Sequence, residues 1–293
     1  MTKVLACLDG SLYSQSVCDH AAWAAARLTA SVELLHVIGR RDLATAPMDL
    51  SGSIGSDAQQ HLLDELATLD AARAKLIQKR ARLMLDEAKS RVQTDGMADV
   101  TVTLRHGDLV DTLTEREGQS GQQAALQADL VVIGKRGEAA DFAKLHLGSN
   151  LERVVRATHR PVLVAARAFK PIERLLIAFD GGAGALKAVE TVAGSPLFTG
   201  LACHLVMAAT DTATNRAKIG EAVSTLTAAG LTATPSIEPG PSPDAVIAAK
   251  AEALSIDLLV MGAYGHSRMR SLVIGSTTTE MIRSCRIPVY LVR

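Results

Sequence analysis

Short, unbroken apolar runs recur along this chain, separated by longer segments in which apolar positions return every three or four residues. In the first half the runs fall at 3–8, 31–38, 100–106, 129–134 and 161–165. In the second half they fall at 173–179, 201–209, 232–238, 257–262 and 287–292. They are short and rich in Val, Leu and Ile, as expected for parallel strands covered on both faces. The intervening helical segments imply right-handed β-α-β crossovers. The predicted fold class is α/β: two tandem five-stranded, parallel, doubly wound sheets of Rossmann-like type. Ligands of such sheets sit at the carboxyl ends of the strands.

The two halves repeat each other. Val4-Leu5-Ala6-Cys7-Leu8-Asp9-Gly10 matches Leu175-Leu176-Ile177-Ala178-Phe179-Asp180-Gly181, and Asp129-Leu130-Val131-Val132-Ile133-Gly134 matches Asp257-Leu258-Leu259-Val260-Met261-Gly262. Arg160-Pro161-Val162-Leu163-Val164 matches Ile287-Pro288-Val289-Tyr290-Leu291. Landmarks in the same order over such a length mean duplicated domains, not a solenoid. The predicted division is 1–168 and 172–293, with Pro171 in the junction. The Asp-Gly pairs are 171 residues apart, but Gly134 and Gly262 only 128, so the first half holds 43 extra residues, placed at about 40–95. Residues 44–57 read as a loop. Residues 58–94, with Leu62, Leu66, Leu69, Leu76, Leu83 and Leu85 among many charges, read as a long amphipathic helix. That helix is either a packing decoration or a lid or partner surface.

Composition narrows the class. Lys plus Arg and Asp plus Glu are 31 each, so charge gives no support for binding nucleic acid or an anionic membrane. No apolar run reaches a membrane-spanning 18 residues. The N-terminal residues lack the pattern of a signal peptide. Cys7, Cys18, Cys203 and Cys285 form no C-x-x-C pair and read as free thiols of a cytoplasmic protein.

The most informative chemistry is Gly262-Ala263-Tyr264-Gly265, then nine residues, then Gly275-Ser276-Thr277. It follows a predicted strand and opens a predicted helix. Glycines let a backbone approach an anion closely, and amides at a helix start point outward with the positive end of the dipole behind them. Free amides are therefore expected at Gly275, Ser276 and Thr277. His266, Arg268 and Arg270 lie between the glycine clusters, with no acid among them. The same residues could also make an ordinary turn before a helix. Likewise Asp9 and Asp180 could bind a ligand or merely cap the next helix.

Gly-x2-Gly-x9-Gly-Ser, the Asp-Gly after the first strand and the Pro-Val-x-Leu-Val final strand resemble the universal stress protein family. The resemblance covers both halves apart from the insertion. It implies an adenine-nucleotide α-hydrolase-like fold, ATP with magnesium as a compatible companion, and final strands that pair edge to edge as an internal pseudo-dimer. A further homodimer stays open. Carried over by position, Asp180 and Met207 flank ribose and adenine, while Gly262, Gly265, Gly275, Ser276 and Thr277 hold ribose and phosphates. The first-half counterparts are Asp9, Val37, Gly134, Gly137, Gly148 and Ser149. That half departs from the pattern. Ten residues separate Gly137 from Gly148, Glu138 and Asp141 enter the loop, and Asn150 replaces a hydroxyl residue, with Lys135, Arg136 and Lys144 partly offsetting the acids. The second half is therefore the favoured site.

There is no Gly-x4-Gly-Lys-Ser/Thr loop, no metal-ligand spacing and no matched nucleophile and base. His106, beside Gly107-Asp108 at a strand end, is a weak site candidate, and His36 and His204 read as core or edge histidines. The expected function is an ATP-binding stress-response or signalling module with at most slow hydrolysis. The alternatives are a non-nucleotide interaction or dimerisation protein and a weak ATPase.

Overall fold

Each of the ten apolar runs forms a strand, and all ten lie in one sheet. A computed structural model describes residues 2–39, 56–117, 128–135, 149–263 and 275–293. The first half contributes β1 (Lys3–Leu8), β2 (Ser31–Ile38), β3 (Val100–His106), β4 (Leu130–Gly134) and β5 (Val162–Ala165). The second contributes β6 (Arg174–Ala178), β7 (Ala202–Ala208), β8 (Ala233–Glu238), β9 (Leu258–Gly262) and β10 (Val289–Val292). Their order is β3-β2-β1-β4-β5-β10-β9-β6-β7-β8. Every neighbouring pair is parallel except β5 and β10, which run antiparallel with Leu163 opposite Tyr290. The expected edge-to-edge pairing of the final strands therefore forms within the chain, hiding two Val-rich edges that would otherwise be open to aggregation. Because the direction reverses there, the carboxyl ends of the two sets of strands lie at opposite edges of the sheet.

The helices among the described residues are α1 (Ser14–Leu28), α2 (Ser56–Thr94), α3 (Leu109–Glu117), α4 (Ser149–Ala157), α5 (Ala183–Gly194), α6 (Ala213–Ala228), α7 (Pro243–Ala253) and α8 (Ser276–Ser284). Two apolar layers result. Val4, Ala6 and Leu8 of β1 face the layer holding α1, α2, α5 and α6, while Leu5 and Cys7 face the layer holding α3, α4, α7 and α8. Both layers run across the β5–β10 junction, so the halves share their cores. The low aromatic content is met with small residues, such as the fully buried Ala21, Ala24 and Ala25 on α1.

The insertion is largely an elongation. α2 has 39 residues, and its counterpart α6 has 16. The expected leucine seam is corrected. Of the six leucines, only Leu85 is buried; the seam on the body is Ala81, Leu85, Ala88 and Val92, while Leu69, Leu76 and Leu83 are 63%, 67% and 60% exposed. The expected loop at 44–57 lies mostly outside the described residues. Cys7, Cys18 and Cys203 are buried free thiols and Cys285 is half-buried. Burial pushes the Cys18 and Cys203 thiols up to about 12.

Candidate functional site

The Asp-Gly pairs close matching turns at the carboxyl ends of β1 and β6. Asp9 Oδ1 accepts the Ser11 amide at 3.0 Å, and Asp180 Oδ1 accepts the Gly182 amide at 2.8 Å. Gly10 and Gly181 then turn with φ of 77° and 74°, a conformation that favours glycine. The carboxylates thus fix a turn and do not cap a helix: α1 begins after Tyr13, and α5 begins after Gly182 without a side-chain cap.

A basic side chain from the second helix of each half stands over that turn. A Cβ placed on Gly10 would lie 3.8 Å from a guanidinium nitrogen of Arg80, on α2. A Cβ placed on Gly181 would lie 3.0 Å from Cδ and 3.7 Å from Nζ of Lys218, on α6. Sequence reasoning missed both residues. Each is far from its turn in sequence and belongs to no motif, and the one available signal was their place on equivalent helices.

The ends of the second strands need a correction of register. Leu8 lies opposite His36, and the Ala178–Val206 pair carries Phe179 on to Met207. Since Leu8 and Phe179 each precede the Asp, the counterpart of Met207 is His36, and the counterpart of Val37 is Ala208. A one-residue slip in a strand exchanges faces. Met207 is 2% exposed in the layer of α5 and α6, whereas Val37 and Ala208 sit half-buried at the margin of the opposite layer. His36 Nδ1 lies 2.7 Å from the Leu8 carbonyl, a strand-end tie.

At the carboxyl end of β9, Gly262 packs on the start of α5. A Cβ there would lie 2.8 Å from the carbonyl carbon of Gly184. Close helix–strand approach is thus one reason for this glycine. Thr278 Oγ1 donates to the Gly262 carbonyl at 3.1 Å, tying α8 to the strand end. The Gly275 amide is not free as expected, because it turns back to the Ala263 carbonyl at 3.4 Å. Ser276 and Thr277 follow in the first turn of α8, which has no side-chain cap. By contrast, Thr212 caps α6 and Ser242 caps α7. Gly265, His266, Arg268 and Arg270 lie outside the described residues.

In the first half, Gly134 ends β4 opposite Ala165, and Ser149 opens α4. Gly137 and Gly148 lie outside the described residues, as do Arg136, Glu138, Asp141 and Lys144. Lys135 does not serve the loop as expected. It is buried, and its Nζ crosses to the carbonyls of Cys285 and Ile287 beyond α8. His106 is exposed, with Nε2 3.4 Å from Nε2 of Gln78. The neighbouring Asp108 caps α3 through the Val110 amide and takes Arg153 in a two-pronged pair, which holds its carboxyl below the ordinary value. Burial, reinforced by Lys250 and Arg174, lowers His204. Among the described residues no cluster of His, Cys, Asp and Glu could hold a metal ion, and no helix is long and apolar enough to cross a membrane.

A sheet doubled by antiparallel pairing, with an Asp-Gly turn in each half and an uncapped helix start after β9, defines a tandem α/β protein of the doubly wound, Rossmann-like class. The sequence profile of the universal stress protein family matches residues 1–166 and 204–293. Universal stress protein Slr1230 of Synechocystis sp. is 38% identical over the full length of both chains. The chain belongs to the universal stress protein family. In structure it resembles a universal stress protein from Archaeoglobus fulgidus, with a TM-score of 0.70 at 22% identity over 99% of this chain and 98% of that one. It also resembles a putative universal stress protein from Pseudomonas aeruginosa, with a TM-score of 0.60 at 18% identity over 100% of this chain and 93% of that one. Asp180 lies in the segment the profile leaves unmatched, yet its turn repeats that of Asp9 in bond and dihedral angle.

Proposed function

We propose that the protein binds an adenine nucleotide, ATP in the first instance, at the carboxyl edge of the second half, as a stress-response or signalling module. The observation that carries this reading is the start of α8. It is the one helix start after β7, β8 and β9 with no side-chain cap, and it is tied to the strand end by Thr278. Outward amides at Ser276 and Thr277, with the helix dipole behind them, suit phosphate oxygens. Gly275 and Gly262 keep the approach open, Asp180 offers a carboxylate to ribose hydroxyls, and Ala208 takes the adenine-flanking role first given to Met207. Lys218 adds a cation beside the turn. Gly265 and a magnesium ion travelling with the nucleotide complete the site. A weaker site uses Asp9, Val37, Gly134, Gly137, Gly148 and Ser149. Occupancy would shift the population of loop conformers and so bias a partner interaction.

Calorimetry with ATP on the wild type and on Gly275→Val, with the nucleotide content of freshly purified protein measured alongside, tests this. The wild type should bind and the variant should lose the tighter site, because valine obstructs the phosphate. A wild type that neither binds nor carries nucleotide ends the ATP reading.

A further inference from the structure

We propose that a second copy of this chain docks on α2, the two helices pairing antiparallel about a two-fold axis near Ala72. The proposal is independent of nucleotide binding.

Among the described residues, the buried positions of α2 lie in its C-terminal part, at Ala81, Leu85, Ala88 and Val92. At about 100° per residue, Leu69, Leu76 and Leu83 fall on the far side of the helix, with Leu62, half-buried, at the margin of that stripe. These leucines recur at strict intervals of seven and fill one of the two heptad positions of a left-handed two-helix seam, the other being Glu65, Ala72 and Lys79. Leu69, Leu76 and Leu83 are 63%, 67% and 60% exposed, a stripe left open to solvent among the described residues.

The charge pattern names the occupant and its direction. From His61 to Ala72 the helix carries Asp64, Glu65 and Asp70 with no Lys or Arg. From Arg73 to Arg82 it carries five Lys and Arg residues with no acid. A parallel pair would set like charge against like along this whole length. An antiparallel pair sets each acidic segment against the basic segment of the other copy, with Glu65 beside Lys79. The same register lays Leu69 along Leu76 and Leu62 along Leu83. The centre then falls at Ala72, on the leucine face of the helix and small enough for close approach of the two backbones there. One helix is thus complementary to itself, as a two-fold interface requires.

Sedimentation of the full chain tests this. The wild type should show twice the 30.8 kDa of the chain at low salt. It should dissociate more readily in about 1 M salt, where the screening length is only about 3 Å. Leu69→Glu with Leu76→Glu should give the single-chain mass at every concentration with unchanged circular dichroism, since both positions are solvent-facing. Orientation is read by oxidation in a Cys285→Ser background. Ala72→Cys should cross-link to itself, while Leu62→Cys should do so only when mixed with Leu83→Cys. A wild type at the single-chain mass, a leucine variant that still dimerises, or self-linking of Leu62→Cys equal to that of Ala72→Cys would each overturn the proposal.

Discussion

At Gly262 a missing side chain is itself a packing device. A methyl group there would lie 2.8 Å from the Gly184 carbonyl carbon, so α5 would have to move off β9. Overpacking of this kind costs about 1–3 kcal/mol. Gly262→Ala should lower the urea midpoint accordingly, whether or not ligand is present. His20 makes the opposite kind of demand. It is fully buried, stacks edge-on against Phe169 at 5.0 Å and ties Nδ1 to the Ser16 carbonyl, while its Nε2 has no partner among the described residues. Burial is the main cause holding its pKa below 6.5, with Lys135 acting in the same direction and Asp19 against it. The unfolded chain therefore takes up a proton first as pH falls. The stability that neutral His20 contributes is full above about pH 6.5 and is lost as pH drops toward the folded value, with a slope approaching about 1.4 kcal/mol per pH unit. Urea midpoints between pH 5 and 7.5 should show this slope in the wild type and its loss in His20→Phe.

Among the elements, the helix starts divide the labour between stability and binding. Thr212 accepts the Asn215 amide at 3.2 Å, so Thr212→Ala should cost about 1 kcal/mol in urea unfolding. Ser276 makes no cap, so Ser276→Ala should leave the midpoint nearly unchanged. On the proposed function, Ser276→Ala should nevertheless weaken ATP binding in calorimetry. The helices after β2 and β7 add what no motif revealed, a cation over each Asp-Gly turn. Lys218→Ala should weaken ATP binding by about tenfold, the worth of about 1.4 kcal/mol. Equal affinity for variant and wild type would remove Lys218 from the site.

Across the whole molecule the halves are held by more than the β5–β10 pairing. Buried Lys135, beyond β4, donates to carbonyls after α8, and Arg293, beyond β10, donates to the carbonyls of Arg156 and Thr158 at the end of α4. Each half thus sets a cation on the negative end of a helix in the other. Arg27 on α1 extends the junction, donating to the carbonyls of Leu197 and Thr199. With both cores continuous across this line, thermal unfolding should follow a single transition. Lys135→Met strands two carbonyls, at about 1–3 kcal/mol. It should lower that transition by several degrees in calorimetry and leave the start of α8 intact.

The sequence by itself determined the ten strands, the duplication, the long helix and the Asp-Gly and glycine landmarks. These are local signals: apolar runs need cover on both faces, and a tight turn needs glycine wherever it sits. Tertiary structure decided the rest, because it depends on groups distant along the chain. Register put Met207 in the core and Ala208 at its margin, since one residue along a strand exchanges faces. Packing took Lys135 from its own loop to the other half, where buried carbonyls required a donor. It also buried the side of α2 that carries Ala81, Leu85, Ala88 and Val92 against the body, and so left the leucine stripe on the opposite side facing water.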